Sequence, residues 1–233
     1  MRAIDAIQGR DNPGSLANRF RRARSRKVMA LIERIFAEKG GVRIIDLGGE
    51  PEYWALFDTA ALEAAKAEIL IVNPTPQASP GPLFRTEVGD ACDLHQYADG
   101  NFDLAHSNSV IEHVGDWDRV EAFAGEVRRL APSYYVQTPY FGFPIEPHFT
   151  SVGFHWRSEQ SRARQLMRRT HGFMAAPAQD MGEAMRMVQS ARLLGKAQFR
   201  HLFPDARHLD ERVLGLTKSL IAIREGTQPL PVG

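Results

Sequence analysis

The feature that most constrains the fold is the run Val42-Arg-Ile-Ile-Asp-Leu-Gly-Gly49, an apolar segment that ends in Asp46 and two glycines. This pattern is typical of a buried parallel strand that breaks into a tight turn, where glycine lets the backbone approach a ligand. A second such segment follows Asn101 and ends in Ser107-Asn-Ser109. Two strand ends of this kind predict a ligand crevice at the carboxyl edge of an open α/β sheet.

The composition is that of an ordinary globular protein, and it narrows the function mainly by exclusion. The 233 residues fit a single domain, residues 1–233, and a net charge of +1 gives no overall argument for nucleic acid or membrane as a partner. A single cysteine, Cys92, excludes an intrachain disulfide and is typical of a reducing compartment. The sequence has no secretory signal pattern and no apolar run long enough to span a bilayer. These features favour a cytoplasmic enzyme.

Strand and helix patterns alternate along the chain after Gly41. Strands separated by helices predict parallel pairing with right-handed crossovers. The predicted strands are 42–47, 68–73, 84–88, 102–106 and 134–138, with helices at 52–66 and from Asp116 onward. After Pro139 the pattern predicts an irregular loop at 141–153, helices at 157–171 and from Asp180 to Gly195, and two closing strands within 206–216 and 218–224.

A helix predicted from Ser15 to about Glu38 carries a dense basic run in its first half. Such a run is most often a solvated helix face. The alternatives are a surface for an anionic acceptor or for a membrane. The basic residues are Arg19, Arg21, Arg22, Arg24, Arg26 and Lys27.

Two motifs, Asp46-Leu-Gly-Gly49 and Ser107-Asn-Ser-Val-Ile-Glu-His113, occur in the order typical of class I S-adenosylmethionine-dependent methyltransferases. The chain resembles that class, and in particular a bacterial methyltransferase-domain family with both motifs. The resemblance implies an α/β fold, a Rossmann-like, seven-stranded, mostly parallel sheet with an antiparallel last strand, helices on both faces and a helical cap. It divides the chain into an N-terminal helical cap (1–40), a cofactor-binding core (41–140), an acceptor-side loop with helices (141–205) and closing strands (206–225).

The resemblance also implies S-adenosylmethionine as the cofactor, lying along the strand ends. A dinucleotide would need the G-x-G-x-x-G pattern, which Gly48-Gly-Glu-Pro51 lacks. Where most of these enzymes have an acidic ribose ligand, this chain has Asn73, which is either a ribose contact or a turn residue before Pro74. The implied cofactor-binding residues are Asp46, Gly48 and Gly49 for the methionine part, Asn73 for the ribose, Asp90 and Ala91 for the adenine, and Ser107 and Asn108 near the sulfonium.

Three side chains are candidates for catalysis on the acceptor side: His113, Glu146 and His148. They follow the fourth and fifth predicted strands, so they are expected above the same crevice, although proline-rich loops also carry polar residues to satisfy backbone groups. Some related metal-dependent methyltransferases have Glu-x-x-Glu-His here, and this chain has Ser109 in place of the first glutamate. We therefore predict no metal site. If a metal binds, its expected ligands are Glu112, His113 and His148.

The predicted function is transfer of a methyl group from S-adenosylmethionine to a small-molecule, sugar or glycan acceptor, at oxygen. The arginines suit an anionic acceptor that carries phosphate or carboxylate. One alternative is a non-catalytic cofactor-binding module, which the unusual Asn73 and Pro51 favour slightly. Another is an RNA methyltransferase, for which the basic helices are the argument, although nucleic acid is not the expected partner. The acceptor and the oligomeric state stay open at this point.

Overall fold

The computed structural model describes residues 16–172, 174 and 176–226. Its strands are β1 (Val42–Leu47), β2 (Ala67–Asn73), β3 (Phe84–Val88), β4 (Leu104–Asn108), β5 (Ser133–Pro139), β6 (Ile145–Glu146), β7 (Ser151–Val152), β8 (Arg207–Val213) and β9 (Leu216–Arg224). Its α-helices are α1 (Leu16–Lys39), α2 (Pro51–Trp54), α3 (Thr59–Ala64), α4 (Trp117–Leu130), α5 (Glu159–Leu166), α6 (Met181–Gln189) and α7 (Lys196–Leu202).

Seven of the strands form one sheet in the order β3-β2-β1-β4-β5-β9-β8. The neighbours from β3 to β5 pair in parallel, while β9 runs antiparallel to both β5 and β8. This confirms the predicted mostly parallel sheet with a reversed last strand. The strand order changes direction between β1 and β4, and ligands of open α/β sheets bind above the carboxyl ends at such a point.

Apolar side chains cover both faces of the sheet, as parallel strands require. Helices α4 and α7 cover one face, where Phe123, Val127 and Phe199 are buried. Helices α1, α2 and α3 cover the other face, where Val28 and Ile32 of α1 are fully buried. Each such side chain contributes about 1.5–3 kcal/mol through its burial. Both layers therefore hold the strand ends in a fixed register.

Three element boundaries near the site differ from the predicted ones. The fourth strand is Leu104–Asn108 rather than 102–106, because its last residues continue the ladder with β5. The predicted helix 52–66 is two short helices, since the Asp58 side chain caps a new one by accepting from the Ala60 amide. Gly195, predicted to end a helix, instead immediately precedes α7.

The chain after β5 forms a small lobe, the α5–α6 lobe, which contains the β6–β7 hairpin, α5 and α6. Phe149, Phe154, Leu166 and Val188 pack in its own apolar cluster. Helix α7 lies within the segment 141–205 that was expected to carry acceptor-side helices, and its Phe199 packs against the main sheet.

The division of the chain at residues 40, 140 and 205 stays a prediction. The predicted N-terminal cap falls partly on residues 1–15, which lie outside the described residues. Within the described part of the chain, no helix combines the length and the apolar character needed to cross a membrane.

Candidate functional site

The sheet register brings the predicted cofactor-binding residues to one edge. Asp46 of β1 pairs with His106 of β4, so the next residue, Ser107, lies level with the end of β1. Asn73 is the last residue of β2 and pairs with Val88, the last residue of β3. The turn with the predicted adenine contacts follows Val88. These strand ends surround the switch point between β1 and β4.

Asp46 is fully buried beneath the glycine turn, and both of its carboxylate oxygens are engaged by protein side chains. Trp54 Nε1 donates to Oδ2 at 2.7 Å, and His106 Nδ1 lies 2.7 Å from Oδ1. A Cβ on Gly49 would come within 1.8 Å of this carboxylate. Asp46 therefore supports the turn from below, and its effect on a ligand would pass through the turn.

Gly48 meets two requirements that a larger residue cannot. Its φ is +73°, in the left-handed region, and its N–H donates to the Val72 carbonyl at 2.7 Å. A Cβ added here would lie 2.3 Å from Val110 Cγ1. The turn after β1 is thus fixed between β2 and the segment after β4.

A buried histidine that was not predicted lies beside this turn. His106 is 1% exposed and stacks between the rings of Tyr53 and Tyr135, at centroid distances of 5.0 and 5.8 Å. Its Nε2 has no hydrogen-bond partner among the described residues. Because Asp46 engages Nδ1, His106 orients the carboxylate under the turn. Its signal in the sequence is a histidine within an apolar strand, opposite a strand-end aspartate.

Asn73 ties the glycine turn to the loop after β2. Its amide nitrogen donates to the Gly49 carbonyl at 3.0 Å, and its oxygen accepts from the Thr75 N–H at 3.0 Å and the Thr75 hydroxyl at 2.9 Å. This is the Asx-type turn of the second interpretation. A ribose contact by Asn73 stays a prediction, and it would have to share these groups.

The predicted adenine segment follows β3. Arg119 Nη1 and Nη2 donate to the two carboxylate oxygens of Asp90 at 2.8 and 2.7 Å. Hydrogen bonds from Arg119 lower the pKa of Asp90. The neighbouring Ala91 is buried, and so is Cys92, where burial raises the pKa of the thiol to about 11. Cys92 is therefore a packed residue rather than a nucleophile.

The end of β4 is held by a buried arginine from α1. Ser107 donates to the Leu47 carbonyl at 3.0 Å. Arg24 Nη1 donates to Asn108 Oδ1 at 3.2 Å and to Gln137 Oε1 at 2.9 Å, and Gln137 Oε1 also accepts from Ser109 at 2.9 Å. One guanidinium thus connects the ends of β4 and β5.

Arg24 is the residue of the basic run that sequence reasoning misplaced. It is 6% exposed rather than solvated, and it forms a two-bonded ion pair with Glu211 of β8. Burial raises the pKa of Glu211, but the bonds and charge of Arg24 lower it further, so the net shift is downward. The sequence signal for its burial is helical spacing. Arg24 precedes the buried Val28 and Leu31 by four and seven residues, so it lies on the same face of α1.

A second polar cluster lies beyond the ends of β4 and β5 and unites the predicted catalytic residues. His148 Nδ1 lies 2.6 Å from Glu146 Oε1, and His113 Nδ1 lies 2.7 Å from the Ser190 carbonyl oxygen. The two Nε2 atoms are 3.1 Å apart. We call these two residues the histidine pair. The structure therefore brings His113, Glu146 and His148 together from separate segments of the chain.

Glu112 lies under the histidine pair. Its Oε2 accepts from the Thr138 hydroxyl at 2.9 Å, and the residue is 1% exposed. Burial raises the pKa of Glu112 above its ordinary value. Burial lowers the pKa of His148, but the hydrogen bond and charge of Glu146 raise it, and the net shift is upward.

The strand ends suit a small zwitterionic nucleoside. Glycines follow β1 and β3, and a Cβ on Gly48, Gly49 or Gly89 would come within 2.9 Å of a neighbouring atom. Peptide groups rather than side chains therefore form these turns. The Asp90 carboxylate retains lone pairs beyond those that Arg119 uses, so it can still accept from an amino group. Both turns therefore let a ligand approach the backbone closely, and Asp90 offers an acceptor for an amino group such as that of adenine.

Comparison with known sequences supports the same conclusion. A profile of methyltransferase domains matches residues 57–133, from the turn before α3 to the first residue of β5. The match covers about a third of the chain, and this part resembles a methyltransferase domain. The match and the fold described above support an enzyme that uses S-adenosylmethionine as its cofactor. No sequence in the curated set matches this chain significantly.

Solved structures share the fold of this chain at low sequence identity. The 1,6-didemethyltoxoflavin-N1-methyltransferase of Burkholderia thailandensis, solved with S-adenosylhomocysteine, is 13% identical over 85% of this chain and 77% of its own, with a TM-score of 0.48. An S-adenosylmethionine-dependent methyltransferase of Mesorhizobium loti is 17% identical over 79% and 91%, with a TM-score of 0.47. A possible exported protein of Bordetella parapertussis is 15% identical over 86% and 68%, with a TM-score of 0.50. At these identities the likeness concerns the fold alone.

Proposed function

We propose that this chain is a methyltransferase that transfers the methyl group of S-adenosylmethionine to a hydroxyl oxygen of a small-molecule, sugar or glycan acceptor. The observation that carries the proposal is the histidine pair, which lies beyond the carboxyl ends of β4 and β5 with both Nδ1 atoms engaged. Its two Nε2 atoms are the remaining groups for an acceptor proton. A hydroxyl acceptor needs such a group, because its proton must leave as the oxygen attacks.

The cofactor would lie along the strand ends, with its methionine part at Gly48 and Gly49. In this proposal Asp46 positions the turn, and Asn73 accepts from or donates to the ribose. The remaining contacts are Asp90 and Ala91 with the adenine, and Ser107 and Asn108 near the sulfonium. When bound, S-adenosylmethionine supplies a methyl group on a positively charged sulfur.

The residues of the chain would contribute mainly alignment and proton handling. The α5–α6 lobe carries His148 above the crevice, and the Glu146 carboxylate fixes the orientation of its ring. Holding acceptor and methyl donor in line converts an encounter of two molecules into a reaction within one complex, which is the largest contribution that such a site makes. His113 and His148 provide the proton acceptor at Nε2.

A basic cleft supports an anionic acceptor. Arg22 and Arg26 are exposed on α1, and with Ser25, Ala55 and Leu56 they line an open space of about 350 Å³. Guanidinium groups bind phosphate or carboxylate with two parallel hydrogen bonds. We therefore expect acceptors that combine a hydroxyl with a carboxylate or phosphate to be preferred over neutral ones.

Replacing His113 or His148 by alanine is expected to lower turnover by about 100-fold or more, since proton transfer by a positioned group contributes about 10²–10⁴-fold. Methyl transfer from isotope-labelled S-adenosylmethionine to a panel of hydroxylated acids and sugar phosphates measures this. His95→Ala is the matched control, because His95 is an exposed histidine paired with Asp93. Full turnover in both site variants, or a product methylated at nitrogen, would refute the proposal. Transfer to RNA that weakens steeply with salt would establish the RNA alternative.

A further inference from the structure

The two Nε2 atoms of the histidine pair face each other in an arrangement that requires a proton or a cation between them. His113 Nδ1 faces a carbonyl oxygen, Ser190 O, so it must carry the proton of a neutral ring. His148 Nδ1 faces a carboxylate, Glu146, and must likewise donate. In the neutral rings both Nε2 atoms therefore carry lone pairs, and these lie 3.1 Å apart. Two lone pairs at this distance repel unless a proton or a cation lies between them.

The distance fits two ligands of one metal ion. A zinc–nitrogen bond of about 2.0–2.1 Å in tetrahedral geometry puts two nitrogen ligands about 3.3 Å apart. The rings are also nearly perpendicular, at 88°, with centroids 4.7 Å apart. Such a crossing lets both Nε2 lone pairs point toward a shared centre without contact between the rings.

Each histidine has the outer partner that metal-bound histidines require. Ligand histidines nearly always donate their other N–H to a carboxylate or a carbonyl, which fixes the tautomer and the ring. Here Glu146 and the Ser190 carbonyl fill these two roles. They lie in different parts of the chain, so a different segment fixes each ring.

A buried carboxylate supplies a third ligand. Glu112 Oε2 accepts from Thr138, but Oε1 is buried and has no hydrogen-bond partner among the described residues. One ligand atom from each of Glu112, His113 and His148 lies within 4.8 Å of the others. An unpartnered carboxylate oxygen is costly in such a place, and a cation removes the cost.

We propose that Glu112, His113 and His148 bind one divalent transition-metal cation, for which Zn²⁺ has the fitting chemistry. Two imidazole nitrogens and one carboxylate oxygen are a zinc ligand set, and three protein ligands leave a position open for water or a substrate oxygen. This revises the prediction of no metal. The related metal-dependent enzymes use a glutamate at the position that Ser109 occupies here. In this chain His148, from the segment after β5, would supply a ligand instead.

The catalytic role of the cation rests on the proposed function, whereas the binding of the cation does not. An acceptor hydroxyl at the open position would lose its proton more readily, because a bound cation stabilises the alkoxide. With the cation bound, the two Nε2 lone pairs would hold the cation instead of the acceptor proton, and that proton would leave to water. This replaces the proton-acceptor role of the histidines and keeps the transfer to a hydroxyl oxygen. Loss of turnover in the histidine variants follows from either role, so metal binding itself must be measured.

The test is calorimetric titration of the chelator-treated full chain with Zn²⁺ alone, without cofactor or acceptor. We expect one equivalent to bind. His113→Asn and His148→Asn should each weaken binding at least 100-fold, and Glu146→Gln, which alters an outer partner, about 10–100-fold. His95→Asn, at an exposed histidine, should leave the affinity unchanged. Substitution with Co²⁺ adds a spectroscopic signature, since tetrahedral Co²⁺ absorbs visible light, and His148→Asn should abolish it.

The outcomes separate the two proposals. If the wild type binds no Zn²⁺, or if His95→Asn weakens binding as much as His148→Asn, the metal proposal is overturned and the histidine pair shares a proton. If Zn²⁺ binds as described but no acceptor is methylated, the metal site stands and the proposed function fails. If methyl transfer is unchanged in excess chelator, the function stands and the metal has no role in it.

Discussion

Replacing Arg24 by alanine is expected to lower the free energy of unfolding by about 3–5 kcal/mol, the cost of leaving one partner of a buried ion pair alone. The guanidinium is 6% exposed and donates to Glu211, Asn108, Gln137 and Ser219. Without it, the Glu211 carboxylate stays buried with no cation beside it. Urea unfolding at neutral pH, followed by circular dichroism, measures the loss.

Two controls give the Arg24 prediction its specificity. Lys39 lies on the same helix as Arg24 and forms an ion pair with Asp103, but Lys39 is 50% exposed. We therefore expect Lys39→Ala to lower the free energy of unfolding by only about 0–1 kcal/mol. Arg24→Lys keeps the charge but not the two-bonded geometry, and should fall between wild type and Arg24→Ala. A loss below about 1 kcal/mol for Arg24→Ala would show that the pair contributes little.

The ion pair of Arg24 with Glu211 also predicts how the stability difference between wild type and Arg24→Ala depends on pH. Arg24 lowers the pKa of Glu211 in the folded state. A carboxyl group with a lowered folded pKa contributes stability that is present above its unfolded pKa, about 4.5, and is lost as the pH falls through the folded value. The difference between wild type and Arg24→Ala should therefore shrink below pH 4.5. A difference independent of pH would mean that Arg24 stabilises by packing alone.

Gly48→Ala is expected to destabilise the fold by about 2–5 kcal/mol and to reduce the affinity for S-adenosylmethionine at least tenfold. The left-handed φ of +73° costs about 1–2 kcal/mol for alanine. Overpacking against Val110, 2.3 Å from the new Cβ, costs about 1–3 kcal/mol more. Relief of this contact would move the turn that is proposed to hold the methionine part. Urea unfolding and calorimetric titration with the cofactor measure the two effects.

The chain offers a matched control for the backbone part of this effect. Gly40 has a φ of +77°, and a Cβ there would meet nothing within 4 Å. Gly40→Ala should therefore show the backbone cost alone and leave the cofactor affinity unchanged. Adding Val110→Ala to Gly48→Ala should restore about 1–3 kcal/mol by removing the methyl groups in contact. Equal effects of Gly48→Ala and Gly40→Ala on affinity would contradict the assignment of the turn.

The sheet was predictable from the sequence because its strands are long apolar runs with local stop signals. Val42–Leu47 and Ala67–Asn73 are buried along nearly their whole length, so their hydrophobicity needs no knowledge of their neighbours. The family resemblance then implied a seven-stranded, mostly parallel sheet with an antiparallel last strand. Boundaries were less accurate where local caps decided them, as at Asp58, whose cap starts a helix inside a predicted one.

The site was predictable only where its residues follow strand ends. His113 and His148 were expected above one crevice because they follow neighbouring strands, but their separation of 3.1 Å depends on the fold of the α5–α6 lobe. Arg24 was hidden by its neighbours in the basic run, since charge density suggests exposure while its helical position faces the sheet. The pairing of Asp46 with His106 depends on strand register, which a single sequence does not specify across 60 residues.

Calorimetric titration of the purified wild-type chain with S-adenosylmethionine and S-adenosylhomocysteine tests the central claim, that the crevice above β1 and β4 binds this cofactor. The account predicts one site per chain with micromolar affinity for both ligands, equivalent to about −8 kcal/mol. Weaker binding by Gly48→Ala would place the ligand at the glycine turn. No heat of binding and no thermal stabilisation at millimolar ligand would contradict the account, and the chain would then be a methyltransferase fold without its cofactor site.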